Sequence, residues 1–407
     1  MKNYRFWILS LLGTSVLPAF AGENWPGWRG PRGDGSSPAT NLPVTWSGTE
    51  NVVWKTPLPG KGHASLIIWE DTIFTVTSVE DSEARLLVCM DRKTGATRWQ
   101  KVVVKTPYEK VHRLNSHASS TPATDGERVY VSFLDEGRMY VAAYDFEGNR
   151  LWENRPGVFS SKHGYCSSPV LWKDTVIVNG DHDGDAYIVS LDKKSGKLIW
   201  KTDRPNKTRS YCVPIIRTID GRNQLILSGS KSVASYDPDT GEQHWVIDGP
   251  TEQYVASLVY NKGLLFMTAG FPDHHILAIR PDGTGNVTDT HIAWRTTRGC
   301  SYVPSPAACK DYFLVVSDKG IASCFDAESG ERYWMERLGQ RFSASTINAN
   351  GLVYFTSDEG VISVVKADKQ FNVVASNDMG ERVYSSPAVY DGKLYIRGSQ
   401  HVFCVGK

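Results

Sequence analysis

The 407-residue chain has no adjacent cysteines, no Cys-x-x-Cys, no His-Glu-x-x-His, no Gly-x-Ser-x-Gly and no phosphate-binding glycine loop. Those absences remove the common zinc, dithiol, metalloprotease, serine-hydrolase and nucleotide signatures. A dominant charge is missing as well. Lys and Arg number 45 against 44 Asp and Glu, for a formal charge of +1, so a broad electrostatic grip on nucleic acid is not expected. From Trp46 to the C-terminus no segment carries helical periodicity. The apolar run Phe6 to Val16 is too short to span a bilayer. Lys2 and Arg5 precede it and Ala19-Phe20-Ala21 follows, which is the form of a secretory signal peptide over residues 1–21. No cysteine stands just after that cleavage site, so neither a lipid anchor nor a membrane span is expected, and the mature chain is read as periplasmic or secreted.

What the chain does have is a repeat. An Asp-turn-Gly-Trp signature recurs as Asp91…Gly95…Trp99, Asp145…Gly148…Trp152, Asp192…Gly196…Trp200, Asp237…Gly241…Trp245, Pro281-Asp282-Gly283…Trp294 and Asp326…Gly330…Trp334. With Trp54, these tryptophans are spaced 40 to 53 residues apart. Each unit holds short β-branched or aromatic runs bounded by Gly, Asp or Ser, as in Thr175-Val-Ile-Val-Asn179 and Ala186-Tyr-Ile-Val-Ser-Leu191. Four-stranded units of about 45 residues are the sequence form of propeller blades. Lead-in segments near Ala64, Ser119, Ser167, Val213, Ala256, Ser305, Ala344 and Ser385 count eight. The seventh unit has lost the signature, with Lys366 in the Asp place and Val374 in the Trp place. The eighth ends at Val402-Phe-Cys-Val405 before any Trp strand. The orphan strand around Trp54 completes it, so residues 51–57 are predicted to lie beside 401–406 and close the ring. The expected architecture is therefore all-β: an eight-bladed β-propeller of four-stranded antiparallel blades over residues 46–407, preceded by a Trp/Pro/Gly-rich extension over 22–45.

The pattern small-x-Asp-x-x-Thr/Ser-Gly-x-x-x-Trp resembles the tryptophan-docking motif of the pyrroloquinoline quinone (PQQ) repeat family. Its small position is Cys89, Ala143, Ser190, Ser235 and Cys324, with Ala278 in the diverged fifth unit. That family comprises eight-bladed quinoprotein dehydrogenases and non-enzymatic relatives such as the assembly lipoprotein BamB. Asn24-Trp-Pro-Gly-Trp-Arg-Gly-Pro31 also resembles the lead-in of PQQ-like propellers from planctomycete-type bacteria. The resemblance implies that Trp54, Trp99, Trp152, Trp200, Trp245, Trp294 and Trp334 each lay a ring on the neighbouring blade. It also implies that a dehydrogenase would need PQQ, calcium, a catalytic Asp and, in many cases, a disulfide between adjacent cysteines. This chain lacks that cysteine pair and the long insertions that roof the cofactor. The reading is therefore non-enzymatic and BamB-like, with no cofactor, a PQQ-dependent oxidoreductase as the alternative and a glycan-binding module as a second.

Seven cysteines leave at least one unpaired, and a Cys166–Cys212 bridge between neighbouring blades is open. Asp181-His-Asp183-Gly-Asp185 has alternating carboxylates but neither the glycine nor the closing glutamate of a calcium loop, and is read as a polar hairpin, with no metal site. The better candidate comes from aligning the lead-in segments. Lys61 with His63, Arg113 with His117, Lys162 and His163 with Tyr165, Arg209 with Tyr211, Arg298 with Tyr302, Arg341 with Phe342, and Arg382 with Tyr384 all precede inner strands. A propeller would set them around one mouth of its channel, where guanidinium groups grip carboxylates and rings offer stacking faces. An envelope protein, an acidic peptide or an acidic glycan is the expected partner of this monomer.

Overall fold

The computed structural model describes residues 22–407, and the expected signal peptide lies outside the described residues. Eight antiparallel sheets follow one another as blades. In the first, Ile67–Trp69, Thr72–Val79, Ala84–Asp91 and Thr97–Lys105 run from the channel outward. The eighth blade takes its outermost strand from the other end of the chain. Val52–Pro57 pairs antiparallel with His401–Val405, placing Trp54 opposite Cys404. The predicted closure is present.

Each docking tryptophan is built the same way. It stands opposite the small residue of its own blade, as Trp99 opposite Cys89 and Trp200 opposite Ser190. Its indole N–H then donates to a backbone carbonyl in the next blade's turn. The acceptors are Arg92 for Trp54 (3.0 Å), Phe146 for Trp99 (2.8 Å), Lys193 for Trp152 (2.8 Å) and Pro238 for Trp200 (3.2 Å). They continue with Pro281 for Trp245 (3.2 Å, shared with Gln224 Oε1 at 2.8 Å), Ala327 for Trp294 (3.0 Å) and Asp368 for Trp334 (3.0 Å). The turn glycine must be glycine for two reasons. Gly196 has φ +69°, and a Cβ there would stand 2.4 Å from the Trp152 ring. Sequence repeat and blade stacking are thus one device, in which each unit carries a ring and the seat for its neighbour's ring.

The seventh blade departs from the expected register. Its turn is one residue longer, Lys366 N bonding Asn372 O where Asp326 N bonds Glu331 O. Ala375, not Val374, therefore stands opposite Val364 in the tryptophan place. The missing ring comes from the N-terminal segment. Trp46, 3% exposed, stacks on Tyr354 with centroids 6.4 Å apart. Tyr354 holds the same strand position as Tyr395, Phe74, Tyr130 and Phe266, which lie 5.9 to 6.1 Å from Trp54, Trp99, Trp152 and Trp294. Asn377 anchors the Trp46 backbone at 2.9 Å, and the indole N–H reaches Met379 Sδ at 3.1 Å.

Residues 22–37 run across the centre of the ring. Trp25 bridges Ile68 in the first blade, Pro26 O accepts from Thr124 N in the second, and Asp34 pairs with Arg217 in the fourth. Arg29 reaches Pro306 O and Thr346 O, and Ser36–Ser37 adds a parallel strand to Asn348–Ala349 of the seventh blade. Inner strands are edges facing the channel, and this segment satisfies part of those edges with its own backbone. It enters from the side where the inner strands end, next to Glu70 and Asp391. That end of the channel is occupied by the chain itself.

Candidate functional site: the lead-in mouth

The open end is framed by the segments that precede the inner strands. Just inside it a belt of hydroxyls ties blade to blade. Ser65 N donates to Thr121 Oγ1 (2.8 Å), Thr121 N to Ser168 Oγ (2.9 Å), Val213 N to Ser257 Oγ (2.8 Å), Ser257 N to Ser305 Oγ (2.9 Å), Ser305 N to Ser345 Oγ (3.0 Å) and Ser345 N to Ser386 Oγ (3.0 Å). These residues are buried, so each N–H needs such a partner. The belt explains the repeated Ser/Thr-Pro spelling of the lead-ins. Between the eighth and first blades Arg397 takes over, its Nη1 donating to Ala64 O, Thr75 Oγ1 and Val76 O. Burial without a carboxylate lowers this guanidinium to about 9.

Outside the belt, the residues singled out by sequence divide into three groups. Arg113, Lys162, Arg298, Arg341 and Arg382 are exposed and have no ion-pair partner among the described residues; Arg382 only touches Tyr384 OH at 3.1 Å. Two other cations are already engaged, Lys61 with Glu80 at 2.8 Å and Arg209 with Asp183 at 2.7 Å. The aromatic and imidazole members mostly serve the frame. Tyr165 and Tyr211 are buried, Tyr165 donating to Ser132 and Tyr211 sharing a hydroxyl hydrogen bond with Ser161, Phe342 is in the core, and Tyr302 OH meets Gln253 at 3.2 Å. His117 stacks on Tyr108 at 4.0 Å. His63 lies over Tyr384 at 4.6 Å, and burial together with nearby Arg397 holds its imidazole down at about 4, so it is neutral at pH 7. His163 approaches His112 at 5.1 Å and Tyr211 at 6.1 Å, its basicity lowered by burial and by Arg209.

The acidic cluster of the third blade is a set of ion pairs. Asp181, fully buried, binds Arg204 at 2.9 and 3.1 Å, while Asp183 takes Arg209 and Asp185 takes Lys207. Three carboxylates diverge to three cations, which leaves no converging oxygen set for calcium. Cys166 and Cys212 are separate thiols, not a disulfide, and burial pushes both up to about 12, far from thiolate chemistry. Cys89, Cys324 and Cys404 are buried opposite their tryptophans as small apolar residues. The carboxylates of this cluster are taken up by cations, so the cluster offers no free oxygens to a calcium-bound quinone.

Against known proteins, residues 83–280 and 286–405 match the PQQ-repeat family described as outer membrane protein assembly factor BamB. The chain belongs to this family. Its fold is shared by BamB from Moraxella catarrhalis at 14% identity, with 88% of this chain and 97% of that one covered and a TM-score of 0.63. It is equally shared by quinohemoprotein alcohol dehydrogenase from Comamonas testosteroni (12% identity, 95% and 81% covered, TM-score 0.67) and by a europium-containing methanol dehydrogenase (12%, 93% and 90%, 0.67). No curated protein matches the sequence. Identities this low speak for fold alone. Among the described residues no helix is long and apolar enough to cross a membrane.

Sequence reasoning overlooked several deeply buried guanidinium groups, Arg29, Arg204 and Arg397. Only the unusual Trp/Arg/Gly spelling of residues 24–35 hinted at the first of them.

Proposed function

We propose that the protein is an exported, non-enzymatic, monomeric propeller of the cell envelope that binds an acidic segment of a protein partner at the lead-in mouth and uses no cofactor. The observation that carries this reading is the set of five exposed cations without ion-pair partners among the described residues, Arg113, Lys162, Arg298, Arg341 and Arg382, around the end of the channel that residues 22–37 leave open. Exposed guanidinium and ammonium groups pair with carboxylates at modest individual gain, about 0.2–1 kcal/mol each, so several must act together. Membership of the BamB family supports an envelope setting and a protein partner. The spent donor set described above supports the absence of a quinone cofactor.

Fluorescence anisotropy with a labelled Asp/Glu-rich peptide tests the proposal. Binding that weakens with salt, and by about tenfold when Arg113, Lys162 and Arg341 become Ala, is expected from three such pairs. Stoichiometric binding of PQQ with calcium, accompanied by reduction of an artificial electron acceptor, would replace the proposal with an oxidoreductase.

A further inference from the structure

The cations of the mouth are interrupted on two neighbouring blades. Among the described residues, unpaired lead-in cations stand on the second, third, sixth, seventh and eighth blades. Arg209 of the fourth is held by Asp183, and the fifth has Thr251-Glu252-Gln253-Tyr254 in the matching place. In that gap a cleft of about 460 Å³ opens between the fourth and fifth blades. Its walls come from the end of the fourth blade's outermost strand at Asp248, the hairpin turn at Lys231, the fifth lead-in at Thr251 and Glu252, and the hairpin turn at Pro272 and Asp273.

The sign of the charge reverses here. Three exposed carboxylates, Asp248, Glu252 and Asp273, line the cleft with one lysine, a surplus of two negative charges. Lys231 Nζ stands 3.9 Å from Glu252 Oε1, at the outer limit of an ion pair, and no described cation pairs with Asp248 or Asp273. Asp248 Oδ2 accepts from the neutral Asn286 amide at 2.7 Å. An aromatic borders the same wall. Phe271, next in the chain to Pro272, is 49% exposed, and its ring lies 6.3 Å from Tyr302. The Phe271 carbonyl accepts from Gln253 N at 3.1 Å and from Thr251 Oγ1 at 2.6 Å, while Asp273 N donates to Thr251 Oγ1 at 3.3 Å. Hairpin and lead-in are thus fixed to each other before any partner arrives, which lowers the ordering cost of binding. An exposed phenyl ring beside unpaired carboxylates suits a guanidinium, whose charge meets the oxygens while its plane and methylene stem cover apolar surface.

We propose that this cleft receives a basic side chain of the partner's segment, so that the segment bound at the mouth is acidic along most of its length and basic at one end. This rests on the mouth being the seat of an acidic segment, as proposed above, and adds a direction to it. Cations spread around the rim accept such a segment either way round, whereas a single anionic cleft at one place on the ring favours one orientation.

Fluorescence anisotropy with three labelled peptides decides it: an Asp/Glu-rich peptide, and the same peptide extended by two arginines at its N-terminus or at its C-terminus. General attraction to a cationic mouth predicts that both extensions weaken binding. The cleft predicts that one of them binds about fivefold tighter than the acidic peptide, from exposed charge pairs of ordinary strength. Replacing the three exposed carboxylates together (Asp248→Asn, Glu252→Gln, Asp273→Asn) should erase that gain without weakening the acidic peptide, whereas the alanine variant at Arg113, Lys162 and Arg341 weakens all three. If neither extension gains, or if the gain survives the triple carboxylate variant, the cleft is refuted while the acidic-segment function stands. If the acidic peptide does not bind at all, that function fails, and a labelled peptide of Arg and Gly alone judges the cleft. Binding lost in the triple carboxylate variant would uphold it, and no binding would refute it.

Discussion

Trp46 offers the most demanding test of how the ring is held together. If it supplies the docking ring that the seventh blade lacks, Trp46→Ala removes a buried indole from Tyr354 and costs about 3–5 kcal/mol, the range for deleting a large aromatic from a core. Ala375→Trp restores a ring to the strand itself, but with Trp46 in place the site is full, and overpacking costs about 1–3 kcal/mol. Combined, the two should compensate, because the strand-borne ring can then lie on Tyr354 as Trp334 and its counterparts lie in their blades. A coupling of about 2 kcal/mol or more in favour of the double variant is expected, within the range for residues in contact. Urea unfolding followed by tryptophan fluorescence, with the slope checked for constancy, measures it. A double variant as unstable as the sum of the two singles would show that Trp46 does not occupy the docking place.

Trp152→Phe keeps the apolar ring but leaves the Lys193 carbonyl without its donor, and should cost about 1–2 kcal/mol in the same assay. Arg204→Ala strands the buried Asp181 carboxylate and should cost about 3–5 kcal/mol, more than Lys207→Ala, whose partner Asp185 is exposed. His63 is held neutral, with its folded pKa near 4 below an unfolded value near 6.5. Between these values the unfolded chain binds the extra proton, so this stability is complete above pH 6.5 and is lost as pH falls toward 4. The contribution is at most about 3 kcal/mol. Asp318 and Asp358 are raised by burial and act in the opposite sense, so the difference between wild type and His63→Phe across pH 4–7 isolates the histidine.

Much of the fold was legible because the blade motif is local. Asp, Gly and Trp within about ten residues specify a turn, a ring and a seat, and repeating them specifies a stack. Closure by Val52–Pro57 was legible for the same reason, since an unpaired strand with the right Trp has one place to go. At the mouth, the phase of the basic residues was readable, but not which of them are free. Arg209 and Lys61 are paired by Asp183 and Glu80 on other turns, and no spacing announces that. The turn of the seventh blade is longer by one residue, which moved the tryptophan place from Val374 to Ala375.

The sequence by itself determined the number of blades, their order and the docking rings, because those contacts join residues about one repeat apart and recur often enough to be read as a period. Only the tertiary structure decided that Trp46 serves the seventh blade, that residues 22–37 fill one end of the channel, and that Arg29 is buried between the sixth and seventh blades. Those contacts each occur once, some across about 300 residues of chain. A contact made once leaves no period, so its partner becomes known only when the ring has closed.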